Sequence, residues 1–188
     1  MSMLICLLPI ILSSCLANMA SNIEDVKSSL LKAGFQEDEI PALLGNISVE
    51  TGKTFDYTQI ENTTKKQKGY GLFQFTGGHL SSYYDYLKDT KQEDSNDAQA
   101  AFVYANIYDK NPPHVIGAGN QRKIQNAFDS DDNASKSDVF ARWYERFEGS
   151  EDDDTWKPNW MRGGMLDILP DGQHDSYNER YKRSKKYD

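Results

Sequence analysis

The chain has 188 residues, enough for one ordinary domain with modest extensions, and a net charge of −8. That balance leaves its central part without the basic patch expected of a nucleic-acid binder. Both cysteines, Cys6 and Cys15, lie in the first fifteen residues, so the remainder carries no disulfide, thiolate nucleophile or cysteine-based zinc site.

Residues 3–14, MLICLLPIILSS, form an apolar run too short to span a bilayer as a helix. Residues 1–18 therefore read as a hydrophobic leader, which suits the core of a signal peptide. Leu12-Ser13-Ser14-Cys15 resembles a bacterial lipobox, which would place a lipid on Cys15 and anchor the chain to a membrane. Against both, Met1-Ser2 supplies no positive charge, and Met19-Ala20-Ser21-Asn22 would open a protein equally well.

The domain proper is expected over residues 19–150. Ser21 or Asn22 can cap a first helix, with Ile23, Val26, Leu30 and Ala33 on one side and Gly34 as its stop. A second helix is predicted from about Asp38 to Thr51, because Ile40, Leu43, Leu44 and Ile47 make one apolar stripe. Gly52 stands where helices commonly end. Phe55 to Ile60 alternates as a short strand would. The polar stretch Glu61 to Lys68 follows, and then GYGLFQFTGG, where glycines around aromatics suggest a short strand or tight turns.

Helical spacing then returns. Leu80, Tyr83, Tyr84 and Leu87 share a face, and Ser95 can cap a helix through Tyr108. Asn111-Pro112-Pro113 breaks the chain, and residues 120–128 suit another helix. Ser137 can cap a last one, with Phe140, Trp143, Tyr144 and Phe147 at helical spacing. The predicted fold is α+β: mostly helical, with a small β region inserted after the second helix.

No HExxH, GxSxG, Walker or GxGxxG pattern is present, and His79, His114 and His174 lie far apart. No metal and no cofactor are expected. The carboxylate that stands out is Glu50. At about 100° per residue it falls near the azimuth of Leu43, at the edge of the apolar stripe. Desolvation at such an edge disfavours the charged form, which is what a carboxylic acid needs to donate a proton near neutral pH. Stripe edges also hold charges that simply reach out to water.

Three stretches bear on that choice. Leu44-Gly45-Asn46-Ile47-Ser48-Val49-Glu50-Thr51-Gly52 resembles the "GN-x-x-x-ESG" catalytic helix of the phage tail lysozyme family. Gly69-Tyr70-Gly71-Leu72-Phe73-Gln74-Phe75-Thr76-Gly77 resembles its "G-x-G-x-x-QWTG" segment, and Phe140 to Glu148 its "F-x-x-x-FE" helix. The likeness covers residues 22–150. Phe75 stands where the family usually has Trp, His79 where a basic residue often follows the glycines, and Gly149 where Pro is common.

The resemblance implies a lysozyme-like fold and a peptidoglycan glycosidase, with glycan strands as substrate and Glu50 as general acid. The β-1,4 bond between N-acetylmuramic acid and N-acetylglucosamine would be cut. An inverting enzyme needs a second carboxylate to activate water. Glu61 is the first candidate and Asp56 the other. A lytic transglycosylase would use Glu50 alone, and an inactive peptidoglycan-binding or tail-structural module would use neither. Tyr70, Phe73, Gln74, Phe75 and Thr76 are the further candidates for substrate contact, against core packing for Phe73 and Phe75.

Residues 151–188 form an acidic linker and a basic, tyrosine-rich tail, YNERYKRSKKYD. The tail reads as a solvated terminus, or as a contact for an anionic wall polymer, membrane or partner. Phage structural proteins are the protein partners this reading implies, and a phage virion or the bacterial envelope is the expected location.

Overall fold

A computed structural model describes residues 22–62, 68–114, 116–130, 133–141, 144, 183 and 186–187. The leader with Cys6 and Cys15, His174, most of the tail, and Trp143 and Phe147 lie outside these residues. So does the stretch Glu145 to Gly149.

Six helices carry the described domain. Helix α1 spans 22–33 and buries Val26 and Leu30. It stops at Gly34, whose φ is +119°, and a Cβ there would lie 2.8 Å from the Tyr104 ring. Glycine is required at that point by backbone and neighbour together. Helix α2 is Ile40–Glu50, with Pro41 in its first turn. It is buried from Ile40 through Ser48, and only Val49 and Glu50 approach the surface.

Helices α3 (Gly77–Thr90) and α4 (Asn96–Tyr108) follow. Ser95 caps α4 as expected, its side chain accepting from the Ala98 amide at 3.2 Å. The alanines of α4 let neighbours approach closely, and most of that helix is buried. Helices α5 (Ala118–Phe128) and α6 (Asn133–Phe140) complete the set. Helix α6 packs on both α2 and α5, α5 on α4, and α4 on α3. Among the described residues, no helix is long and apolar enough to cross a membrane.

Two expectations need correction. Ser137 is not a cap. The last helix starts earlier, at Asn133, and Ser137 sits buried within it. Its backbone carbonyl and hydroxyl lie 3.1 and 3.0 Å from the Asn46 amide nitrogen, which also donates to Ala42 at 2.9 Å. The asparagine of the α2 motif therefore fastens α2 to α6.

The strand expected over Phe55 to Ile60 is also replaced. Phe55 has a φ of +53°, outside the strand region. Asp56 accepts from both the Thr58 amide (2.8 Å) and its hydroxyl (2.7 Å), closing a side-chain turn. Among the described residues, what remains of β structure is isolated antiparallel bridging of Ile60 with Tyr70 and of Tyr70 with Phe75.

Candidate functional site

Glu50 is half-buried where α2 emerges from the core. The helix end is closed by Thr51, which is fully buried. Its hydroxyl donates to the Ile47 carbonyl (2.7 Å) and accepts from the Phe55 amide (3.1 Å). Gly52 takes a left-handed φ of +58°, and the Lys53 amide returns to the Ser48 carbonyl at 2.9 Å. Thr51 stands where the family motif has Ser, and its hydroxyl performs a backbone task that spacing alone does not disclose.

From this end a relay of contacts runs into the glycine-aromatic segment. The Thr54 hydroxyl lies between the Thr51 carbonyl (2.9 Å) and the Gln59 side-chain amide. The Gln59 carbonyl accepts from the Gly71 amide at 2.8 Å. Tyr70 and Phe75 exchange backbone hydrogen bonds of 3.1 and 2.9 Å, so residues 70–75 make one tight loop. Within it, Gln74 has a φ of +46° and donates from Nε2 to the Gly71 carbonyl at 2.7 Å. Gln74 Oε1 is buried and has no hydrogen-bond partner among the described residues. An orphaned acceptor of this kind is costly unless something else donates to it.

Gln99 of α4 builds the loop from below. It accepts from the Leu72 amide (2.8 Å) and donates to the Tyr57 carbonyl (2.8 Å) and to Asp94 (3.1 Å). It also explains Gly71, where φ is +78° and a Cβ would meet Gln99 Oε1 at 2.3 Å. Asp94 accepts the hydroxyls of Tyr70 and Tyr83. Burial, with the Asp94 carboxylate beside each ring, pushes both phenols well above their usual range. Gln99 and Asp94 were missed by sequence reasoning. A single Gln among the alanines of an apolar helix was the available signal.

The remaining candidates separate. Glu61 is half-buried, and its Oε2 accepts from the Gly69 amide at 3.2 Å. Gly69 in turn leaves room for Gln74, since a Cβ there would lie 2.5 Å from Gln74 Oε1. Glu61 and Gln74 are thus gathered around one glycine. Asp56 is exposed and serves its own turn. Thr76 is exposed at the start of α3 and makes no side-chain cap.

Phe73 and Phe75, candidates either for sugar contact or for core packing, take core positions. They are 3% and 1% exposed and pack on each other, on Phe140 and Tyr144, and on Tyr83 and Phe102. Their bulk anchors the loop in the core. His79 packs beneath the same loop, stacked on His114 at 4.2 Å with its Nε2 3.1 Å from the Tyr144 hydroxyl. Among the described residues, no group of three or more His, Cys, Asp or Glu side chains is placed to hold a metal ion.

Two tail residues lie against this region, which corrects the reading of them as solvated. Arg183 donates to the Ser48 carbonyl and to its hydroxyl (3.1 Å). A cation at the C-terminal end of α2 complements the helix dipole. The Tyr187 ring meets Phe55 edge-on at 5.9 Å.

Comparison with curated proteins and with solved structures gives no match. The model of the family described as phage tail lysozyme matches residues 21–164. The matched span contains α2 with Glu50, the loop around Gln74 and the final helix α6, and covers most of the chain. The chain belongs to the phage tail lysozyme family.

Proposed function

We propose that this domain degrades peptidoglycan as a glycosidase, with Glu50 protonating the oxygen of the β-1,4 bond between N-acetylmuramic acid and N-acetylglucosamine. Family membership supports a lysozyme-like, peptidoglycan-degrading activity. The observation that carries the finer reading is the position of Glu50. It is half-buried at the mouth of an otherwise buried helix, and hydrogen bonds link that helix end to the loop holding Gln74. A general acid needs this mixture of partial desolvation and rigid placement.

In the hydrolase form, Glu61 activates the attacking water, and Gln74 Oε1 accepts a hydrogen bond from a substrate amide or that water. Tyr70 and Thr76 line the approach. A second reading has its own support. Both Glu61 and Asp56 already accept backbone amides. A lytic transglycosylase dispenses with the second carboxylate, because Glu50 acts first as acid and then as base while the sugar's own hydroxyl attacks. The protein would work from a phage particle or within the bacterial envelope, beside phage structural proteins.

Digestion of purified peptidoglycan, followed by mass spectrometry of the products, tests these readings. New reducing ends mark the hydrolase, and 1,6-anhydromuramic ends the transglycosylase. Glu50→Gln is expected to lower the rate at least about a hundredfold. A Glu50→Gln protein that cuts like the parent rules out Glu50 as the acid. Binding without any cutting by the parent makes the domain a wall-binding module.

A further inference from the structure

Among the described residues, the large apolar side chains most open to solvent are Ile60, 60% exposed, and Tyr84, 50% exposed. They come from separate parts of the chain, yet both adjoin Tyr70. Ile60 is bridge-paired with Tyr70, which sets the two side by side. The Tyr84 ring on α3 lies 6.2 Å from the Tyr70 ring, tilted by 39°. Tyr70 is held in place because its hydroxyl donates to Asp94, the carboxylate that also takes the hydroxyl of buried Tyr83. Tyr83 in turn underlies Tyr84, with ring centroids 6.0 Å apart.

We propose that Tyr84, Tyr70 and Ile60 form a stacking platform for the sugar rings of a peptidoglycan glycan strand, continuous through Tyr70 with the loop of Gln74. This rests on the peptidoglycan reading above and extends it from the acid to side chains that would hold the strand. A β-1,4-linked N-acetylhexosamine carries its large substituents equatorially, so each ring face presents axial C–H groups. Those faces are the apolar part of an otherwise polar polymer, and they match an exposed, fixed aromatic ring. With a chain charge of −8, general electrostatics draws no anionic wall polymer, and contact through neutral ring faces avoids that repulsion.

The test measures affinity of the full chain, in a Glu50→Gln background that suppresses turnover, for a soluble β-1,4 N-acetylglucosamine tetramer and for peptide-stripped peptidoglycan strands. Tyr84→Ala is expected to weaken binding of both roughly three- to tenfold. Tyr84→Phe should bind like the parent, because the face rather than the hydroxyl makes the contact. Tyr84 is half exposed, so unchanged thermal unfolding of Tyr84→Ala separates lost contact from lost fold. Equal affinity of Tyr84→Ala and the parent overturns the platform while leaving the Glu50 reading intact. If the parent binds neither glycan, the peptidoglycan reading itself falls. A concentration-dependent dimer that Tyr84→Ala abolishes, with glycan affinity unchanged, assigns the patch to a second copy of the chain and overturns the proposal.

Discussion

Two regions of this domain are held together by different physics. Around α2 and α4 the residues meet as apolar surfaces, with Leu30, Leu43, Ile47, Phe102 and Val103 all fully buried. Each such side chain contributes about 1.5–3 kcal/mol on leaving water, and modest changes of shape are tolerated. The described residues between 51 and 76 have little regular structure. They are held by directional bonds from a few buried polar side chains, chiefly Thr51 and Gln99. Such bonds contribute less when made, but cost more when one partner is removed. The first region supplies stability, and the second gives the loop tied to the end of α2 its shape.

The broadest way to break the contrast is Phe102→Ala. Phe102 meets Phe75, Tyr83 and Tyr86 in the core. Denaturant unfolding should show a loss of about 3–5 kcal/mol. Both regions should unfold together, because Phe75 belongs to the loop. A loss below about 1 kcal/mol would mean that the loop is not packed on the helices.

Gln99→Leu keeps the volume and removes the bonds. The Leu72 amide and Tyr57 carbonyl would lose their partners, at an expected cost of about 2–4 kcal/mol. Hydrogen exchange should rise first at residues 70–75, with α4 still protected. Uniform exchange across the domain would contradict a separate role for polar contacts in the loop. Gly71→Ala perturbs the same place by strain, through a φ of +78° and a 2.3 Å clash with Gln99 Oε1. About 2 kcal/mol is expected, with glycan cleavage falling at temperatures well below the melting point.

Asp38→Asn acts on the helical side. Lys136 is 1% exposed, and its ammonium donates to the Asp38 carboxylate and carbonyl. The hydrogen bond from Lys136 holds the Asp38 carboxyl below its ordinary value of 3.8. Its stabilisation is therefore complete above that value and is lost as pH falls through the lower folded one. Because Asp38 is largely exposed, solvent screening limits the loss at neutral pH to about 1 kcal/mol. Asp38→Asn should also melt with a flatter acid limb, readable by calorimetry between neutral and strongly acid pH. The smallest expected effect is that of Arg183→Ala, about 0.5 kcal/mol in stability. Its reading is kinetic: a fall in glycan cleavage without a matching fall in melting temperature would show that the tail steadies the end of α2.

Much of the helical side was legible in the chain. The stripe of Ile40, Leu43, Leu44 and Ile47, the Ser95 cap and the stops at Gly34 and Gly52 all depend on residues a few positions apart. The motif around Glu50 pointed to the same helix end. The region after it was misread as a strand because alternation describes side chains and is blind to the left-handed backbone at Phe55 and the Asp56 turn.

What the sequence by itself determined was most of the helices, the Ser95 cap, the stops at Gly34 and Gly52, and the family to which α2 and the loop belong. Only the tertiary structure decided which aromatics are core and which meet solvent. Phe73, Phe75, Tyr70 and Tyr84 look alike along the chain, and their fates depend on Phe140, Asp94 and Tyr83. It likewise decided that Asn46 bonds to Ser137, 91 residues away, and Leu72 to Gln99, 27 away. Helix signals arise between neighbours and are written locally. Directional contacts across such separations exist only once packing has brought the partners together and removed the water that competed for them.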